Sequence, residues 1–212
     1  LRSQTRRPQP ASTELKFMPA TPRQANLFDQ GESAGHDNEP AALLLNLRQL
    51  QSWQQRIHSF QKPLFEASPP SEEQGNLFGG SQGPAADIQP LSLKPLPLSF
   101  WRWPQSPHQG AALYWVMDRP RGLEHPILLY IGETLAADRR WKGEHDCKAY
   151  LAAYHEACAY CGLTCSTSIR FWGDVPKATR ARRQLEQILI RRWQPPFNKE
   201  SRDRWATPFQ AA

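Results

Sequence analysis

Leu43, Leu47, Leu50, Trp53, Ile57 and Phe60 recur at spacings of three and four, which predicts an amphipathic helix over residues 41–60. A lone helix cannot shelter such a stripe. It is therefore expected to dock on the folded half of the same chain, where contact needs no second molecule. Further on, the pattern changes period. Residues 112–117 (Ala-Leu-Tyr-Trp-Val-Met) and 127–131 (Ile-Leu-Leu-Tyr-Ile) read as paired strands, joined by a loop holding Pro120, Gly122 and Pro126. Thr134 is placed to cap a short helix containing Ala136, Asp138, Arg139, Arg140 and Trp141. A second helix is expected from about Asp146 to Cys161, stopping at Gly162. Residues 168–172 read as a third strand, and a longer helix runs from Pro176 through Trp193 to the breaker Pro195-Pro196. The order β-β-α-α-β-α predicts an α+β domain over residues 110–205, with a central three-stranded sheet flanked by helices.

The chain before it is different. Residues 1–82 are rich in Pro, Gln, Ser, Thr and Asn, too poor in apolar surface to offset their ordering entropy. They read as a largely disordered arm carrying the one helix. Residues 83–109 hold Pro90, Pro95, Pro97, Pro104 and Pro107, which exclude helix and favour an extended strap. Leu91, Leu93, Leu96 and Leu98 alternate along it, and Phe100, Trp101 and Trp103 are candidate anchors on the core, with stacking on bases as the rival role.

A short word, Gln-x-x-Leu-Phe, recurs in the arm at Gln24-Leu27-Phe28, Gln61-Leu64-Phe65 and Gln74-Leu77-Phe78. It resembles the pentapeptide by which bacterial replication and repair proteins bind the sliding clamp. Leu and Phe would fill an apolar pocket while the Gln amide meets polar groups at its rim. Gln61 is the weakest of the three, standing where the helix is expected to end. Gln24, Leu27, Phe28, Gln74, Leu77 and Phe78 are the candidate contacts, and two tethered copies would gain avidity on a ring of repeated pockets.

Charge narrows the partner. From Gly110 onward there are 16 Lys and Arg against 11 Asp and Glu, a net of +5, whereas the rest carries 10 against 9. Positive charge thus gathers where the folded half lies, which suits a polyanion. No apolar run reaches the length of a membrane span, and the beginning, without an initiator Met, lacks the apolar core of a secretory signal. All four cysteines fall within residues 147–165, which fits a reducing compartment better than a disulfide framework. A cytoplasmic, nucleoid-associated protein is expected. Cys158, Cys161 and Cys165, with His155 and Cys147 nearby, could be read as a zinc or iron–sulfur site. No second Cys-x-x-Cys pair completes one, and Leu151 and Tyr154 share the helix face, which favours packing.

The chemistry gathers around Tyr130-Ile131-Gly132. Cutting a phosphodiester needs a deprotonated water, neutralised equatorial oxygens and help for the leaving oxygen. A hard cation, Mg²⁺ or Mn²⁺, supplies the last two. Glu186 is the one carboxylate of its helix, beside Leu185, Ile188, Leu189 and Trp193, where an unpaired charge is costly unless it ligates. Arg140 offers forked donors to a phosphate. Ala112-Leu113-Tyr114, Tyr130-Ile131-Gly132, Arg140, Glu186 and Pro196-Phe197-Asn198 together resemble the GIY-YIG nuclease family over roughly residues 110–200. Two departures stand out: Ala-Leu-Tyr replaces the first triplet, and Glu133 stands where repair members often carry Lys. The resemblance implies Tyr114 as base for the attacking water, Tyr130 orienting water or phosphate, and Arg140 holding the phosphate. It also implies Glu186 as metal ligand and Asn198 as a stabilising hydrogen-bonding group. His145 and His155 lie where some members place catalytic histidines, at a spacing that does not match. Arg139, Lys142, Arg182 and Arg183 are the candidate nucleic-acid contacts. The expected function is a metal-dependent DNA endonuclease of repair, recombination or replication. The alternative is a non-cleaving accessory that binds nucleic acid or the clamp.

Overall fold

A computed structural model describes residues 45–67 and 88–209, residue 144 excepted. The expected disorder of the arm and the clamp-like words at Gln24, Leu27, Phe28, Gln74, Leu77 and Phe78 lie outside the described residues. Within them the fold is α+β, built in the order α1 (Leu47–Glu66), β1 (Leu96–Pro97), β2 (Ala112–Asp118), β3 (Ile127–Thr134), α2 (Ala137–Arg140), α3 (Asp146–Tyr160), β4 (Ser168–Trp172) and α4 (Thr179–Trp193). The sheet has four strands in the order β1-β4-β2-β3, every pair antiparallel. The expectation of three strands is corrected here. The strap supplies the fourth, because Leu96 and Pro97 pair with Ile169 and Ser168 at an edge, where a proline costs no ladder donor. The strap is also not uniformly extended: short 3-10 turns at Pro90–Ser92 and Leu98–Arg102 bend it, and the second buries Phe100.

Both faces of the sheet are covered. Tyr114, Val116, Leu129, Ile169 and Phe171 share one core with α3, with Leu50, Trp53 and Ile57 of α1, and with Phe197. Leu113, Trp115, Met117, Leu128 and Ile131 meet Leu185, Leu189, Ile190 and Trp193 of α4 on the other. β2 is buried at every position, as a central strand clad on both sides must be. The helix over residues 41–60 does dock within the chain, but it occupies 47–66. Asn46 and Gln49 form a capping box at its start, and it continues past Pro63. Leu50, Trp53 and Ile57 are each worth roughly 1.5–3 kcal/mol of burial.

Gln61 does not end the helix; it lies inside it, fully buried. Its amide accepts from the Leu128 N–H at 2.7 Å and donates to the Leu128 carbonyl at 3.0 Å and the Trp193 carbonyl at 3.1 Å. Phe65 of the same word packs on Trp193. That copy of the repeated word is therefore consumed by the core. Gln61 is one of several groups that close β3, which has no strand beyond it among the described residues. The Phe197 N–H bonds the Leu129 carbonyl, Asn198 bonds both backbone groups of Ile131, and Glu186 accepts from the Glu133 N–H. Side chains thus do for this edge what a neighbouring strand would do.

α3 and β4 match their expected bounds closely. α3 ends where Gly162 takes a left-handed φ of 68°, and α4 starts at Thr179 rather than Pro176. Among the described residues, no helix is long and apolar enough to cross a membrane.

Candidate active site

Strand register decides which side chains meet. β2 and β3 pair with a shift between Val116 and Met117. Met117 faces Leu128 while Val116 faces Tyr130, so β3 carries one extra residue, Leu129. This bulge turns Tyr130 onto the face that already holds Leu129 and Tyr114. An unbroken ladder would have aimed it at α4. Tyr114 lies opposite Gly132, and only a glycine fits there, because an added Cβ would overlap the Tyr114 ring and hydroxyl. Hence the triplet 130–132 has a mechanical meaning. One residue supplies a phenol, the next buries in the opposite core, and the third makes room for the other phenol.

The two tyrosine rings lie 6.0 Å apart and stack at an angle of 30°. His145 completes the group. As the residue capping α3, its Nδ1 accepts from the Cys147 N–H at 2.9 Å. A neutral ring must then carry its proton on Nε2, which donates to the Tyr114 hydroxyl at 2.7 Å. Trp141 stacks on this imidazole, with centroids 5.8 Å apart, and holds it upright. Arg140 reaches in from the surface at the end of α2, where Thr134 steadies the turn by accepting from the Ala136 N–H. Its Nε donates to the Tyr114 hydroxyl at 3.4 Å.

Burial sets the protonation states. It pushes the Tyr114 phenol well above its usual range, with Tyr130 adding to the rise and Arg140 opposing it. Tyr130 is raised too, by burial first, then by Cys147 and Glu186. Both phenols are neutral near pH 7. Burial disfavours charge on Arg140, but its interactions with the two phenols outweigh that and hold it firmly cationic. Glu186 is pushed up to about 7, chiefly by burial and then by the neighbouring Glu133 and Glu200 carboxylates, against the Glu133 N–H and Arg140. A carboxylate crowded by two others, with Oε1 bound to the Glu133 N–H at 2.9 Å and Oε2 left for a ligand, fits a hard cation. Mg²⁺ commonly takes one or two carboxylates and completes its shell with water and phosphate oxygens.

Tyr114, Tyr130, Arg140 and Glu186 therefore gather at one end of the sheet. Tyr114 itself is fully buried, whereas Tyr130, His145 and Glu186 are half-buried and Arg140 is exposed. Asn198 makes its hydrogen bonds inward. It is 4 % exposed, and its amide is spent on Ile131, accepting from N–H at 2.9 Å and donating to C=O at 2.8 Å. It positions the triplet and does not face a substrate. Sequence reasoning left His145 at the margin. The signal that could have raised it is its place directly before a helix start, where its ring is tied down.

The basic candidates divide. Arg139 and Lys142 are exposed, and Arg139 lies 3.7 Å from Asp138. Arg183 is exposed, touching Glu133 at 3.4 Å. Arg182 is a correction. It is completely buried and donates to Glu133, to the carbonyls of Pro176 and Lys177, and to the Thr179 hydroxyl. Glu133, the unexpected acid after the triplet, is thus the partner of both arginines, which leaves Glu186 free of them.

Among the described residues, the group of three potential ligands that converges is Glu66, Glu124 and His125, at the far end of β3. Lys62 already neutralises it, 2.6 Å from Glu124 and 3.6 Å from Glu66. The cysteines do not converge in that way: Cys147 and Cys158 pack in the core, and the Cys161 thiol donates to the Leu45 carbonyl. His155 is half-buried beside Thr167, away from Tyr114.

Compared with family models, curated proteins and solved structures, the chain returns no match.

Proposed function

We propose that this protein is a metal-dependent endonuclease that hydrolyses DNA phosphodiester bonds, with a site of GIY-YIG type. The observation that supports the reading best is the cluster at the Tyr114 hydroxyl, where His145 and Arg140 hydrogen-bond and the Tyr130 ring packs alongside. Residues from β2, β3, α2 and the cap of α3 converge in it beside the lone carboxylate of α4. Core packing alone does not call for a cation, an imidazole and two phenols at one hydroxyl. A divalent cation at Glu186 supplies charge neutralisation and Lewis acidity. Arg140, cationic and exposed, clamps the phosphate. Tyr130 is the phenol that reaches solvent, so it orients the attacking water. Tyr114 lies behind it as a positioning residue, held by the Nε2–H of His145. This exchanges emphasis between the two tyrosines relative to the resemblance, because a fully buried hydroxyl cannot touch the water itself.

The net +5 of residues 110–212 supports a polyanionic substrate. The words at Gln24-Leu27-Phe28 and Gln74-Leu77-Phe78 attach the arm to a sliding clamp, which places the activity in replication, recombination or repair. Replacing Leu27, Phe28, Leu77 and Phe78 by Ala then abolishes capture by an immobilised clamp, and undiminished capture removes that part of the proposal.

The decisive assay is Mg²⁺-dependent nicking of supercoiled and branched DNAs by the full chain. The parent cuts; Glu186→Gln and Tyr130→Phe each lose on the order of 10²–10³-fold. Undiminished cutting by Glu186→Gln ends the metal-ligand assignment. A folded parent that binds DNA without cutting it leaves the accessory role instead.

A further inference from the structure

α4 has two sides, and only the inner one serves the core. Its outer side presents Arg180, Arg183, Gln184, Gln187, Ile188 and Arg191, the spacing of a single helical face, along an open groove. α4 itself puts no carboxylate on that face, and Glu200, beyond the helix, accepts from the Gln187 amide at 2.7 Å. Among the described residues, Arg180 and Arg191 form no salt bridge, and Arg183 touches only the Glu133 carboxylate, which it shares with Arg182. Arg180 and Arg183, three apart on one exposed helix, repel each other, and among the described residues the Glu133 carboxylate at Arg183 is the salt-bridge partner that offsets this.

We propose that this face is a tracking surface for the sugar-phosphate backbone of duplex DNA, laid beside the candidate site. The stripe from Arg180 to Arg191 is about 16 Å long. Over that axial length one strand of a duplex places about five phosphates. Three arginine forks and the Gln184 amide are suited to phosphate oxygens. The groove lining holds no aromatic ring on which unpaired bases could stack, which favours a duplex over a single strand. The surface is joined to the site. Arg183 bonds Glu133, whose backbone N–H holds Glu186, and Gln187 follows Glu186 in the helix. A backbone lying along the stripe is thereby led toward the carboxylate.

This inference takes its polymer from the nuclease reading but does not need cutting, so the test is a binding one. Labelled duplex is titrated with the full chain in EDTA, over a range of NaCl, for the parent, the triple variant Arg180→Gln/Arg183→Gln/Arg191→Gln and the corresponding triple Lys variant. The slope of log affinity against log salt is expected to shrink by about 2–3 in the Gln variant and to be largely kept in the Lys variant. Affinity at low salt falls at least tenfold in the Gln variant alone. An unchanged slope in the Gln variant overturns the proposal. So does a change seen only with single-stranded DNA of the same length, or only with poly-glutamate. Parallel nicking assays keep the two ideas apart: a parent that never cuts sinks the nuclease reading and leaves the stripe standing if the slope still falls.

Discussion

β2 carries a buried hydroxyl-centred cluster near each end, and the two are built to different ends. At Asp118 every group is answered from within the protein. Its carboxylate accepts from the Tyr154 hydroxyl at 2.6 Å and the Ser166 N–H at 2.6 Å, and Gln54 donates to the Tyr154 hydroxyl at 2.7 Å. Asp118 is 1 % exposed, and burial raises its pKa despite those bonds. This cluster ties α1, α3 and β2 together and has nothing left to offer a ligand. At Tyr114 the hydroxyl receives two donors, but the group around it stays open. Tyr130, His145 and Glu186 reach solvent, and Arg140 is exposed and forms no salt bridge among the described residues. The lesson is that a buried tyrosine beside an acid does not by itself mark a site. Unspent capacity at the surface side does.

The sharpest way to break the comparison is Gly132→Ala. The methyl has no room beside Tyr114, so about 1–3 kcal/mol of stability should be lost in thermal or urea unfolding, and cutting by the remaining folded protein should fall with it. Normal cutting by a normally stable variant would mean that the two triplets need not interlock. Next in size is the contrast between phenols. Tyr154→Phe leaves a buried carboxylate short of a donor and should cost about 1–3 kcal/mol while sparing nicking per folded molecule. Tyr130→Phe should do the reverse, with stability changed by less than about 1 kcal/mol. Equal effects on both measures would erase the distinction between the clusters.

The smallest effect is a pH dependence. The folded pKa of Glu186, about 7, lies above its unfolded value of 4.5, so the folded state binds its proton more tightly. Stability from this group is therefore present below the unfolded value and is lost as pH rises toward the folded one. Because the side chain is half-buried, the loss is on the order of 1 kcal/mol. Glu186→Gln should flatten the fall in stability between about pH 5 and pH 8, and added Mg²⁺ should offset it in the parent alone. A parent whose stability does not change across that window would contradict the burial argument.

Much of this was legible from residue order. Both central strands, α3 with its Gly162 stop, β4 and the docking of α1 follow from period and punctuation. Of the four active-site candidates that converge, Arg140 and Glu186 follow from residue type, whereas Tyr114 and Tyr130 rest on the resemblance. Three things were not legible. The fourth strand hid in a proline-rich strap, because a two-residue edge pairing needs no alternation to specify it. The role of Asn198 depends on the unpaired edge of β3, and an edge has no signature in a linear chain. Arg182 looked like its neighbour Arg183, yet one is inside and one outside, a difference of about 100° around a helix that only packing reveals. The bulge at Leu129 likewise cannot be read from Leu-Leu-Tyr-Ile, although it decides where Tyr130 points.

The closure of β3 by side chains has a consequence for how the chain comes off the ribosome. Gln61 is made early, but Asn198 reaches Ile131 across 67 residues and Glu186 reaches Glu133 across 53. Until the last helix and the Pro-Phe-Asn turn have emerged, that ladder lacks its final rungs, and the triplet it steadies is not yet fixed. A nascent chain therefore has its sheet before it has its working geometry. Assembly of the candidate site waits for residues 186–198.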